Sequence, residues 1–241
     1  MFARLRSASF LTTGSLLLAA LCWGLVPVAT RYLFADFTPR QLVVLRFFVA
    51  GLCFLPLLLP LRAHRWTHQQ VWRAIFCGIV SVIGYHLTVA YGLSTTPAGI
   101  AGLLVATQPI WIILISALFL RERFGWTVIV GLVLSLAGIV LLLAQETSGS
   151  GWHGATLTGT LLVLLAALMW SIYTVAVRPL SKELGARAST ALTMVIGTVP
   201  LLALWDNATF PLLSQLNVFA WFALALLIFG STIIATILWN Y

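Results

Sequence analysis

Arg46 stands well inside an apolar run, a position no other charge of this chain shares. Placing a guanidinium near the centre of a hydrocarbon layer costs about 2.5–3.5 kcal/mol on insertion scales. Three outlets are open to it. It contacts an anion such as a ligand carboxylate, it pairs with Asp36, or its long stem snorkels to the nearer interface. Trp23 and Pro27 lie four residues apart and therefore on one helical face, and Trp170 and Tyr173 lie three apart. Gln108-Pro109 joins an amide to a backbone break, and Tyr85, His86 and Tyr91 put polar tips on a third run. A proline leaves a carbonyl without its helical donor and permits a kink. Trp23, Pro27, Arg46, Tyr85, Gln108, Pro109, Trp170 and Tyr173 are thus the candidates for lining a substrate cavity among apolar helices. The alternative is aromatic rings facing lipid, tolerated prolines and a structural His86. Glu122, between Arg121 and Arg123, is either an acceptor for a coupling proton or part of a solvated interfacial cluster.

Other chemistry has little support. His64 and His68 stand four apart, with no third ligand nearby. Cys22, Cys53 and Cys77 are odd in number and lie in apolar runs, which suits free packing thiols rather than a metal site. Asp36, Glu122, Glu146, Glu183 and Asp206 all fall at the ends of runs or between them, so no acid/base pair occupies the apolar interior. Nucleophile elbows, zinc motifs and phosphate loops are not found, and neither catalytic residues nor a cofactor is expected.

The elements that must position these residues are helices in lipid. Hydrophobic residues make up 61% of the chain and charged ones 7%, against roughly 25% charged in a soluble domain. Eight continuous apolar runs read as spans: 12–32, 41–61, 73–93, 97–120, 126–144, 157–177, 188–205 and 218–239. A β-barrel would show short alternating segments instead. The net charge of +8 marks topology, not nucleic acid. With the N-terminus in the cytoplasm, Arg4, Arg6, Arg62, Arg65, Arg73, Arg121, Arg123, Arg178, Lys182 and Arg187 fall inside, and only Arg31 and Arg40 fall outside. The first run reads as an uncleaved helix, since no small-x-small site follows it.

A repeat organises the runs. Leu17-Leu18-Ala19-Ala20-Leu21-x-Trp23 recurs 147 residues later as Leu164-Leu165-Ala166-Ala167-Leu168-x-Trp170. The same offset pairs Arg31 with Arg178, Leu33 with Leu180 and Arg40 with Arg187. Five runs precede the second copy. An odd number of crossings reverses its direction, which predicts an inverted-topology repeat of the kind found in secondary transporters. Residues 1–144 form the first repeat, 145–156 an external Gly/Ser-rich linker and 157–241 the second repeat. Matching Tyr241 to Tyr91 leaves 92–144 without a counterpart, so the second repeat is read as incomplete, with eight of ten spans present. A naturally eight-span protein is the alternative reading. On the incomplete reading the open groove is covered by further spans or by a homodimer, and this chain alone is not expected to transport.

Ala19-Ala20-Leu21-Cys22-Trp23-Gly24, Leu45-Arg46-Phe47, and Ala98–Leu120 with Pro109 and the following Glu122-Arg123 carry a family likeness in their order and spacing. The chain resembles the drug/metabolite transporter superfamily, in its EamA-type members. That resemblance implies ten helices in two inverted five-helix repeats, alternating access, small organic metabolites or drugs as substrates, outward movement and coupling to an ion gradient. The leading expectation is therefore a polytopic all-α transporter in the inner membrane, partnered by the lipid bilayer, a small-molecule substrate and a coupling ion. A non-transporting membrane subunit or assembly factor is the second reading, and a membrane-embedded enzyme the third.

Overall fold

The computed structural model describes residues 2–122, 124–148 and 156–239. Arg123, the linker stretch 149–155, and Asn240 and Tyr241 lie outside the described residues. All regular elements among the described residues are helices. Seven are long and apolar enough to cross a membrane: α1 (Thr13–Leu33), α2 (Pro39–Ala63), α3 (His68–Ser94), α4 (Ala98–Phe119) and, after α5, α6 (Leu157–Ala176), α7 (Ala186–Leu204) and α8 (Val218–Trp239). The remaining long helix, α5 (Trp126–Ser148), has a described apolar stretch over Trp126–Gly138. Large apolar side chains such as Leu118, Phe119, Val218, Phe219 and Phe222 are exposed. Lipid is the solvent that makes this stable, and the chain is an integral membrane protein.

Contacts between connections constrain the path of α5. The Thr156 amide donates to the Thr95 carbonyl at 3.0 Å, and Arg40 pairs with Asp206 at 3.1 Å. Thr95 follows three spans, and Thr156 follows two further helices. Because α4 is long and apolar enough to cross, they share a membrane face only if α5 crosses as well. The Arg40–Asp206 pair gives the same parity, with α2 to α7 between its partners. This supports eight crossings, as the apolar runs suggest.

Starts and breaks follow from local chemistry. The Thr38 hydroxyl and the Gln41 side chain form a capping box at the start of α2, with Pro39 at the first helical position. Thr67 and Gln70 do the same for α3, and Asn217 caps α8. Prolines divide the rods. α1 breaks at Leu25, before Pro27. α2 tightens to a 3₁₀ segment over Leu55–Ala63, which contains Pro60. α4 splits into Ala98–Val105 and Gln108–Phe119, because Pro109 has no N–H for the Val105 carbonyl.

The 147-residue offset reappears in backbone geometry. α-Helix Pro39–Phe54 is matched by Ala186–Leu201, and a 3₁₀ segment begins at Leu55 and again at Leu202. π-Helical turns occupy Ile79–Leu87 in α3 and Leu226–Ile234 in α8. Every one of these boundaries differs by 147.

The halves interlock around α7 and α6. A side chain on Gly78 would stand 2.8 Å from the Thr193 carbonyl oxygen and 2.9 Å from the Gly197 nitrogen. α3 and α7 therefore cross with backbones nearly touching, the small-residue packing that membrane helices favour. Gly92 and Gly159 make a similar crossing of α3 on α6. Phe47, Phe54, Val82, Met194 and Leu201 fill the space between α2, α3 and α7.

Candidate functional site

Arg46 is buried, at 6% exposure, and does not snorkel. Its Nε donates to Thr232 Oγ1 at 2.6 Å and its Nη2 to Ser231 Oγ at 3.0 Å. The two hydroxyls in turn donate to the Leu227 carbonyl, at 2.8 Å from Ser231 and 2.7 Å from Thr232. Their lone pairs are thereby left facing the guanidinium. The π turn allows this, because residues four and five positions after Leu227 reach the same carbonyl. Asp36 makes no pair with Arg46. Among the described residues no carboxylate reaches this guanidinium, and its Nη1 forms no hydrogen bond. The Phe47 ring lies 5.5 Å from the guanidinium carbon, within cation–π range.

An aromatic group continues from there. The Phe47 and His86 rings are 4.5 Å apart, His86 and Tyr85 4.6 Å, Tyr85 and Trp170 4.8 Å, and Trp170 and Tyr173 5.2 Å. Arg46 interacts electrostatically with both Tyr85 and His86. Tyr173 shares a hydrogen bond of 3.3 Å with Thr193. Gln108 faces Tyr85, yet its amide nitrogen is enclosed without a hydrogen-bond partner of good geometry. The Gln108 carbonyl accepts a bond from the Ser171 hydroxyl at 3.2 Å, joining the α4 break to α6.

Trp23 reaches this group from the other side. Its indole N–H donates to the Ser231 carbonyl at 3.0 Å, and its ring lies 5.2 Å from Trp239. Arg46, Tyr85, Gln108, Trp170 and Tyr173 are thus brought together, and Trp23 joins them through Ser231. Pro27 is half-buried and opens the second segment of α1, while Pro109 is exposed and shapes the α4 break. Both prolines set backbone direction.

Glu122 lies apart from this cluster. It accepts from Arg178 Nη1 at 3.0 and 3.1 Å, and both side chains are partly exposed. Its described partner comes from just beyond α6, at the start of the short helix Arg178–Leu184, rather than from the neighbouring Arg121. At the opposite end, Asp206 accepts from the Ala208 amide, from Gln41 at 2.9 Å and from Arg40 at 3.1 Å. The Ala208 amide first, then Gln41 and Arg40, hold the Asp206 carboxyl below its ordinary range. Arg31 Nη1 donates to the Leu93 and Ser94 carbonyls at 2.7 and 2.9 Å, capping the C-terminal end of α3.

Sequence reasoning missed Ser231 and Thr232. A usable signal existed: the 147-residue offset carries Gly84 and Tyr85 onto these two residues.

The EamA-like transporter family profile matches residues 12–144, which is more than half of the chain. An uncharacterized transporter of Bacillus subtilis, YdfC, is 34% identical over 167 residues, covering 69% of this chain and 53% of YdfC. The aromatic amino acid exporter YddG of Ancylobacter novellus is 31% identical over 160 residues, covering 66% of this chain and 55% of YddG. In both cases the chain spans only a little over half of the relative's own length. A solved crystal structure superposes with a TM-score of 0.67 at 25% identity, covering 95% of this chain and 77% of the other. The family and these named relatives are transporters rather than enzymes. The chain belongs to the EamA-like transporter family.

Proposed function

We propose that this protein is a secondary transporter that moves small organic molecules across the inner membrane by alternating access. The observation that carries the reading is the meeting of Arg46, Tyr85, Gln108 and Trp170 inside the spans. They come from α2, α3, α4 and α6, so both proposed repeats contribute. Polar and aromatic groups gathered within otherwise apolar helices are what a transport pathway needs.

The two π turns and matched helix boundaries support an inverted repeat, 1–144 against 157–241, joined through 145–156. Outward movement is favoured by the likeness to YddG, an aromatic amino acid exporter. The basic bias puts the N-terminus in the cytoplasm. A coupling ion and a homodimer both belong to this reading, and Glu122 is the carboxylate best placed for ion-linked behaviour at the inner face. Its pair with Arg178 equally suits a latch between the halves.

Two assays test the reading. The protein is reconstituted in liposomes and efflux of a metabolite mixture is followed by mass spectrometry. As a homodimer that covers the open groove, the protein should give saturable, protein-dependent efflux of at least one compound, and none above empty liposomes contradicts transport by this chain. For topology, Asn207→Cys, in an exposed connection, should react with an impermeant thiol reagent added outside intact cells. Reaction only after permeabilisation contradicts the orientation.

A further inference from the structure

We infer that the site takes a net anion, an organic acid with a carboxylate and a flat apolar body, in preference to a zwitterion, a neutral molecule or an amine. This deepens the proposed transport role and rests on it. Three observations carry the inference, all from the packed site.

The first is the charge balance. Arg46 is a buried cation whose described hydrogen-bond partners, Ser231 and Thr232, are neutral. A buried charge is ordinarily paired, and a guanidinium matches a carboxylate in shape and donor spacing. Arg46 has its Nη1 unused among the described residues. The second is the absence of a place for an ammonium group. The five carboxylates of the chain lie at helix ends or connections, and none of the described ones pairs with Arg46. An amine entering here would meet a like charge with no carboxylate to offset it. The aromatic faces offer it only a cation–π contact.

The third observation concerns the rest of the ligand. Tyr85, which interacts with Arg46, lies 4.8 Å from Trp170, and the two rings offer apolar surface. The Gln108 amide nitrogen is enclosed, without a well-formed partner. A flat apolar body suits the rings, and a second acceptor on the ligand would satisfy Gln108. Ser231 and Thr232 act as positioning residues. By donating to the Leu227 carbonyl they keep acceptor lone pairs on two guanidinium nitrogens and leave Nη1 toward the ligand.

Four phenyl-bearing probes separate the charge classes: 3-phenylpropionate, 3-phenylpropanamide, phenylalanine and phenethylamine. Each is titrated against the purified full chain in detergent, with thermal stability as readout, and each is then offered to proteoliposomes. The expected result is binding of 3-phenylpropionate at least about tenfold tighter than of the other three. R46Q should abolish that preference, and R46K should retain part of it. A ligand-free melting curve and size-exclusion profile like the parent's show that a variant has folded, and R46K guards against misfolding of R46Q. Equal binding of the acid and its amide overturns the inference. So does preference for phenylalanine or phenethylamine, failure of all four to bind, or an acid preference that survives in R46Q. Flux without charge preference removes the anion site and leaves transport standing. Tight, Arg46-dependent binding with no flux upholds the anion site and removes transport of these acids.

Discussion

The two π turns share a backbone and differ in chemistry. Ile79–Leu87 presents Tyr85 and His86, two rings within stacking distance of each other and of Trp170. Leu226–Ile234 presents Ser231 and Thr232, two hydroxyls that hold a guanidinium. The turns are 147 residues apart at both ends. The difference teaches that the repeat preserves where a helix loosens, while side chains diverge within that frame. One copy supplies an aromatic wall, and the other supplies the seat of the charge. On the proposed reading, a repeated scaffold would carry an asymmetric site, which is what recognising an asymmetric molecule requires.

The largest expected effect breaks the hydroxyl side. Arg46→Gln should weaken binding of 3-phenylpropionate by about 10- to 100-fold, since hydrogen bonds to charged groups are worth about 1.5–3 kcal/mol. Tyr85→Phe, on the aromatic side, keeps the ring and should cost less than about threefold. Titration of both variants checks the ranking, and a Tyr85→Phe loss as large as that of Arg46→Gln would reverse the roles assigned to the two turns.

Packing sharpens the same contrast. Gly78 directly precedes the first turn, and its counterpart at the second is Ala225. Gly78→Ala forces a methyl against the α7 backbone and should destabilise by about 1–3 kcal/mol. Ala225→Gly removes a methyl instead and should cost about 0.5–1 kcal/mol in helix propensity. Thermal melts in one detergent compare them directly, and equal losses would contradict a backbone contact peculiar to the first turn.

Trp23→Phe removes the donor to the Ser231 carbonyl and keeps a ring near Trp239. A loss of about 0.5–1.5 kcal/mol is expected, with 3-phenylpropionate still preferred over its amide. Loss of that preference would place Trp23 among the ligand contacts.

The smallest effect lies outside the membrane. The Asp206 carboxyl is held below its ordinary range, so its contribution is present above the ordinary carboxylate pKa. That contribution is lost as pH falls through the lowered one. The parent should therefore destabilise slightly more than Asp206→Asn between neutral and acid pH. The difference should be small, because water and salt screen this exposed group. Parallel pH profiles would show the carboxylate to be energetically idle.

Much of the frame was legible because lipid imposes strong patterns. Apolar length marked the helices, and the helix boundaries at Leu55 and Leu202 keep the 147-residue offset visible in the sequence. Arg46 announced itself by its cost in an apolar run. Its partners did not, since Ser231 and Thr232 are ordinary residues for a membrane helix until the π turn aims both at Leu227. Glu122 shows the limit most plainly. Its sequence neighbours are basic, yet its described partner is Arg178, 56 positions away. Long-range pairing of that kind depends on how helices meet, and local sequence carries no signal for it. The prolines were visible as breaks, but only packing shows Pro109 exposed while neighbouring Gln108 turns inward.

The proposed transport site around Arg46 must be reached by water during alternating access. Its most direct test is thiol accessibility of Ser231→Cys after replacement of Cys22, Cys53 and Cys77 by Ala. A hydrophilic methanethiosulfonate reagent is applied to the protein in liposomes, and modification is followed by mass spectrometry. Labelling that slows when 3-phenylpropionate is present, but not when its amide is present, is the predicted result. A thiol that stays unmodified, while Asn207→Cys in the same background labels fully, would show a dry packed interior and contradict the account.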